Sequence, residues 1–161
     1  MQIQITRTKP SDIPAILELM REFARYEDLL EYLEVSAEDL KKVMFGDDAF
    51  VQGLMAVDDQ KPIAYAFFYP TFSSFRGQKS VYLEDIFITE KYRKYGIGEK
   101  MIRAIARIGK DFGAVRMDFQ VLEWNAPAIG FYHKHGALMD ADERHFKFVD
   151  EAFENLVLTS E

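Results

Sequence analysis

Polar and apolar positions alternate from Gln2 to Arg7, with Ile3 and Ile5 on one face, which predicts a short strand. Helical spacing follows at Ile13, Ile16, Leu17, Met20, Phe23 and Ala24. Ser11 or Asp12 can cap this helix, and Pro14 sits in its first turn, where a missing N–H costs nothing. It ends in the acidic and aromatic cluster Tyr26-Glu27-Asp28. A second helix begins at Ser36, with Asp39 in a capping-box position, carries Leu40, Val43 and Met44 as its apolar stripe, and stops at Gly46. From Phe50 the pattern becomes that of strands. Phe50 to Val57 and Ile63 to Phe72 flank the turn-rich Asp58 to Pro62, and Ser80 to Ile88 follows a loop at Ser73 to Gln78. Ile97, Met101, Ile102, Ile105, Ile108 and Phe112 mark a helix closed by Gly113. Val115 to Leu122 then predicts a strand, and Asn125 to Gly136 a helix with Pro127 near its start. Ala137 to Met139 and His145 to Val149 predict short strands, and Asp150 to Leu158 a brief helix.

This order of elements predicts an α+β fold with a mixed, largely antiparallel sheet flanked by helices. A dinucleotide-binding domain would alternate strands and helices throughout. No repeat, low-complexity tract or linker interrupts the chain, so residues 1–161 read as one domain. At 161 residues and 48% hydrophobic, with 14 Phe, 8 Tyr and 1 Trp, the chain has enough apolar material for a sizeable core. It has no cysteine, which excludes disulfides, a thiolate nucleophile and a thiolate metal site. No apolar run reaches the roughly 18–20 residues of a membrane span, and the polar N-terminus lacks a signal-peptide core, so the expectation is a cytoplasmic protein without membrane contact.

Candidate chemistry concentrates in Tyr82-Leu83-Glu84-Asp85-Ile86-Phe87-Ile88 and the following Arg93-Lys94-Tyr95-Gly96-Ile97-Gly98. A strand leading into a glycine loop at a helix N-terminus suits a phosphate, because backbone N–H groups there lack partners and the helix dipole favours negative charge. The loop lacks the third glycine of the dinucleotide fingerprint, and there is no Walker Lys-Ser/Thr pair. Charge is segregated to match: Thr89 to Arg116 holds eight Lys or Arg against three carboxylates, within a chain of net charge −7. Such a segment suits an anionic ligand, with a cation elsewhere; a solvated helix face reads as well on charge alone. The overall acidity argues against a nucleic-acid partner. His133 and His135, two apart on a predicted helix, face different sides, so no metal site is expected.

The combination of YLEDIFI, RKYGIG and WNAPAIGFY (Trp124 to Tyr132) resembles the GNAT N-acetyltransferase superfamily, and within it the spermidine/spermine (diamine) acetyltransferase branch. The similarity covers nearly the whole chain, including Ala24 to Glu27. It implies acetyl transfer from acetyl-CoA to a primary amine by direct attack in a ternary complex. It also implies cofactor contacts from Ile86, Phe87 and Ile88 along the pantetheine arm and from Arg93, Lys94, Tyr95, Gly96, Ile97, Gly98 and Glu99 around the pyrophosphate. Asn125, Ala126, Pro127 and Ala128 would flank the cofactor, although Asn125 also serves as a helix cap.

Glu84 matches the branch's base. An alkylammonium has a pKa near about 10.4, so a carboxylate must bind it and remove its proton. Pairing of Glu84 or Asp85 with a basic residue inside the fold is the plainer alternative, and a regular strand turns Asp85 to the face opposite Glu84. Tyr132 matches the family's tyrosine acid for the departing thiolate; otherwise it is a packed helix tyrosine. Substrate contacts map onto Tyr26, Glu27, Glu84 and the strand segment Asp118, Phe119 and Gln120. The loop before the central strand departs from polyamine-binding members: Ser73 replaces an Asp, Phe75 stands at the Trp position, and Arg76 is added. A diamine or a thialysine-like amino acid is therefore as compatible as spermidine. Other amines (an amino acid, an antibiotic, a protein N-terminus) and a non-catalytic CoA-binding sensor are the alternatives. The resemblance also implies a homodimer.

Overall fold

A computed structural model describes residues 2–158. The chain forms two compact units that divide after Gln120. In the first, β1 (Ile3–Arg7), α1 (Ile13–Tyr26) and α2 (Ala37–Phe45) precede β2 (Gln52–Asp58), β3 (Lys61–Ser73) and β4 (Gln78–Ile88), and α3 (Ile97–Asp111) leads to β5 (Ala114–Asp118). Sheet order follows sequence order, β1-β2-β3-β4-β5. The first three pairings are antiparallel; β4 and β5, joined through α3, are parallel. The expected α+β fold with a mixed, largely antiparallel sheet is the one observed.

Each face of the sheet carries its own core. On one side Ile97, Met101 and Ile105 of α3 meet Leu54, Ala56, Ala64, Ala66, Phe68, Val81 and Leu83. On the other, Ile13, Ile16 and Leu17 of α1 and Leu40 and Met44 of α2 cover Met55, Tyr65, Phe67 and Phe87. A Cβ built on Gly109 would lie 2.5 Å from Val81 Cγ2, so the close approach of α3 to β4 depends on that glycine. Of the predicted caps, Ser36 and Asp39 make a reciprocal capping box at α2, whereas Asp12, the N-cap residue of α1, makes no side-chain cap there and accepts instead from the Lys9 N–H at 2.8 Å.

Pairing between β4 and β5 runs only from Lys79 to Tyr82, against Ala114 to Asp118. Residues 83–88 of β4 therefore have an open edge on that side. Thr89 donates its N–H to the Ile63 carbonyl on β3, so by antiparallel alternation Ile86 and Ile88 direct their backbone polar groups to the open side. The strand predicted over Val115 to Leu122 ends earlier, at Asp118, and residues 119–125 lie outside it.

The second unit contains α4 (Ala126–Lys134) and α5 (Asp150–Leu158). The helices fall where their spacing predicts. The two short strands expected at Ala137 to Met139 and His145 to Val149 do not form. Alternation in His145-Phe146-Lys147-Phe148-Val149 supplies a strand-like face, but a strand needs a hydrogen-bonding neighbour. Phe146 is 86% exposed and Phe148 64%.

Candidate active site

The register between β3 and β4 shifts at one point: Phe67 lies opposite Asp85 but Phe68 opposite Leu83, which makes Glu84 the extra residue of a β-bulge. This overturns the expectation that Asp85 turns away from Glu84. Leu83 and Ile86 both pack on the α3 side of the sheet, so the two residues between them fall together on the α1 side. The hydrogen bonds agree. The Tyr69 hydroxyl donates to Glu84 Oε2 at 2.7 Å and the Tyr65 hydroxyl to Asp85 Oδ2 at 3.2 Å. Tyr65, Phe67 and Tyr69 alternate along β3 and so share that face.

Around the carboxylates the site is aromatic. Tyr69 stacks on Tyr82 with ring centroids 5.4 Å apart, and Phe50 meets Tyr69 edge-on at 5.9 Å. Glu84 is exposed, whereas Asp85 is half-buried. Burial pushes the Asp85 carboxyl up to about 6; the neighbouring Glu84 and, less strongly, Glu27 add to the rise, against the opposing Tyr65 hydrogen bond. Tyr65 and Tyr69 are raised above the ordinary phenol value, burial first and their carboxylate partners second, so both remain donors. Glu27, half-buried just past the last residue of α1, is also raised by burial. A carboxylate at a helix C-terminus opposes the dipole. Asp85 and Glu27, both raised by burial, thus lie near the exposed Glu84 in a region of concentrated negative charge.

Asp118, the last residue of β5, pairs with Tyr82 in register and accepts from Arg116 Nε at 2.9 Å. Phe119 packs on the α3-side core. With β5 ending at Asp118, the assignment of Phe119 and Gln120 to that strand is corrected. In the loop before β4, Ser73 is buried and Phe75 stands fully exposed at the tip.

The open edge at Ile86, Phe87 and Ile88 leads through a short 3₁₀ turn, Glu90–Tyr92, to the glycine loop. Lys94 takes φ +69° and Gly96 φ +74°. Gly96 is the N-cap of α3 and provides no side-chain cap, unlike Ser36 at α2 and Asn125 at α4. A Cβ at Gly96 would meet nothing within 4 Å, so its glycine answers to backbone conformation rather than to crowding. Tyr95 is exposed, Ile97 is buried under the sheet, and Glu99 pairs with Arg103 Nη2 at 2.8 Å. The first N–H groups of α3 thus receive no acceptor from their N-cap side chain, at a helix end whose dipole favours negative charge.

In the second unit, the buried Asn125 accepts from the Ala128 N–H at 3.3 Å, with Ala126 and Pro127 opening α4. Tyr132 sits on α4 with its ring edge-on to Phe131, and burial pushes its phenol up to about 12. His135 packs on Phe131 at 4.6 Å, and His133 Nδ1 lies 3.3 Å from the Ala137 carbonyl. Among the described residues no group of three His, Asp or Glu could hold a metal, and no helix is long and apolar enough to cross a membrane.

Sequence reasoning missed Tyr65, Tyr69 and Tyr82 and misjudged Asp85. The alternation of Tyr65, Phe67 and Tyr69 was a usable signal for the first two. A one-residue bulge leaves no signature in hydrophobic pattern.

The model of the acetyltransferase (GNAT) family matches residues 13–137. The thialysine N-epsilon-acetyltransferase of Bos taurus is 34% identical over 165 residues, which cover 96% of each chain. The spermidine/spermine N(1)-acetyltransferase-like protein 1 of Homo sapiens is 36% identical over 142 residues, covering 84% of this chain and 20% of that one. Among solved structures, an integron cassette protein from the mobile metagenome of V. cholerae superposes with a TM-score of 0.82 over 99% of both chains at 21% identity, which speaks to the fold. With the family match running from residue 13 to 137 and the bovine relative aligned over 96% of each chain, this chain belongs to the GNAT family and is an acetyltransferase.

Proposed function

We propose that the protein transfers an acetyl group from acetyl-CoA to a primary amine of a small polyamine, diamine or thialysine-like substrate, by direct attack in a ternary complex, with residues 1–161 acting as one catalytic domain. The observation that carries this reading is the continuity of the β4 edge. Two carboxylates stand on its bulge, residues 83–88 lack a strand partner on the β5 side, and the glycine N-cap of α3 lies just beyond. The relatives that act on thialysine support the choice of amine.

Bound acetyl-CoA supplies the activated thioester. Starting from the ammonium, transfer forms the amide C–N bond, breaks the C–S bond and removes two protons from nitrogen: one before attack, which passes through the base to solvent, and one after it, which balances the departing thiolate. Ile86 to Ile88 hold the pantetheine arm as an added strand, and the Arg93 to Glu99 backbone holds the diphosphate. Tyr26 and Glu27 face the amine end, with Asp118 at the β5 terminus and Phe119 and Gln120 beyond it. Glu84, oriented by Tyr69, binds the ammonium and takes its proton. Asn125 to Ala128 flank the cofactor, and Tyr132 serves the leaving sulfur.

The test is thiol release from acetyl-CoA across spermidine, 1,3-diaminopropane, thialysine, lysine and an aminoglycoside. Turnover is expected with at least one of the first three. Tight CoA binding with no turnover on any amine would replace this reading with a CoA sensor. A cytoplasmic setting and a homodimer belong to the same reading; exposed Leu138, Phe146 and Phe148 in the second unit support the dimer. Sedimentation at micromolar protein should give twice the 18.7 kDa chain mass, and a monomer would remove the dimer.

A further inference from the structure

The Arg93 side chain does not extend outward from the glycine loop. Its Nε donates to the Ile88 carbonyl at 3.0 Å, at the end of the open edge of β4. Its guanidinium lies over the Tyr26 ring, 4.2 Å from Cζ to the ring centroid, with Phe87 at 5.7 Å. Phe87 in turn stacks on Phe23 of α1 at 5.3 Å. The guanidinium thus caps an aromatic stack that joins the end of α1 to the end of β4. A planar delocalised cation on an aromatic face is a geometry that Arg satisfies and Lys does not.

What it caps is the amine end of the site. After Tyr26 the helix stops abruptly: Asp28 takes φ +58°, and Leu29 donates back to the Ala24 carbonyl. Tyr26 and Glu27 are therefore carried on a helix end, where an aspartate accommodates the left-handed turn, and the Tyr26 ring is positioned by the groups packed against it. Arg93 is one of those groups, and it belongs to the loop proposed to close around a diphosphate.

We propose that Arg93 is a positioning residue coupling the two halves of the site: when the 93–98 loop is ordered by an anion, the Arg93 guanidinium fixes Tyr26 and with it Glu27, so CoA binding prepares the amine subsite. This rests on the acetyl-CoA and amine reading above and adds a route between the two ligands. It assigns the Arg93 side chain to Tyr26 and leaves the diphosphate to the loop backbone.

The experiment uses the full chain and CoA alone as the first probe. Backbone hydrogen exchange over residues 24–33 should slow at least threefold when CoA is saturating. In Arg93→Gln that protection should vanish, while the CoA dissociation constant changes less than fivefold. Arg93→Lys, which keeps the charge without the planar stack, should behave like Arg93→Gln and guards against a misfolded single variant. With an accepted amine at saturating acetyl-CoA, Arg93→Gln should raise the amine KM about tenfold, a larger factor than its effect on kcat. In a Tyr26→Leu background the same substitution should have no further effect on KM. Protection of 24–33 by saturating CoA that survives in Arg93→Gln would overturn the coupling, as would an additive effect in the Tyr26→Leu background. Absence of acetyl transfer by the wild-type chain would retire the amine reading but not the exchange result, so the two failures are distinguishable.

Discussion

Replacing Tyr132 with phenylalanine is expected to lower kcat about 10- to 100-fold while changing CoA affinity less than threefold. Burial holds the Tyr132 phenol at about 12, well above its ordinary 10.0. A thiol titrates near about 8.5, so complete transfer of the phenolic proton to a thiolate runs uphill by about 3.5 pKa steps, or about 5 kcal/mol. In the proposed mechanism the phenol would therefore act as a fixed hydrogen-bond donor to sulfur as charge develops there, rather than as an acid that finishes the transfer. A hydrogen bond to a charged group contributes about 1.5–3 kcal/mol, which sets the size of the loss. It lies at the low end of the roughly 10²–10⁴ of full general-acid catalysis. The pH profile separates the two roles. With the phenol protonated up to about 12, wild type and Tyr132→Phe should give parallel profiles from pH 7 to 10. A wild-type alkaline limb near pH 10 that disappears in the variant, or a loss beyond a thousandfold, would make Tyr132 a true proton donor.

Most of the scaffold could be read from periodicity. Helix spacing from Ile13 to Ala24 and from Ile97 to Phe112, the Ser36 box and the three strand runs after Phe50 all appear where their patterns place them, because each buries a continuous apolar face. The cofactor-side candidates were legible because a glycine loop is a local feature: Gly96 at φ +74° declares itself by residue type. The catalytic face was less legible because it depends on register. One inserted residue at Glu84 changes the face of everything before it relative to everything after it, and the alternation of Val81, Leu83, then Ile86, Ile88 shows this only once the packing is known. The failed strand at His145 to Val149 has a different cause. Alternation specifies a face, but not whether a partner edge exists to pair with it.

The bulge has a thermodynamic consequence that Asp85→Asn should expose. In the folded chain the Asp85 carboxyl is raised from 3.8 to about 6, chiefly by burial and then by Glu84. The folded state therefore keeps a proton that the unfolded chain has released. Stability is greatest below about pH 4, falls as pH rises toward 6, and is constant above that; a shift of about 2 units corresponds to a cost of about 3 kcal/mol at neutral pH. Asparagine removes the charge and still accepts from the Tyr65 hydroxyl. Asp85→Asn should then be about 1–3 kcal/mol more stable than wild type at pH 7, raising Tm by several degrees, with the gain gone at pH 4. Urea unfolding at the two pH values measures this directly. An equal gain at both would show that the charge is not responsible, and a loss at pH 7 would show that the carboxylate is paired rather than penalised. The same substitution should raise the amine KM, because a bound ammonium is the opposite charge that would relieve the repulsion among Asp85, Glu84 and Glu27. A stability gain at pH 7 together with a raised amine KM would place Asp85 in binding rather than in folding.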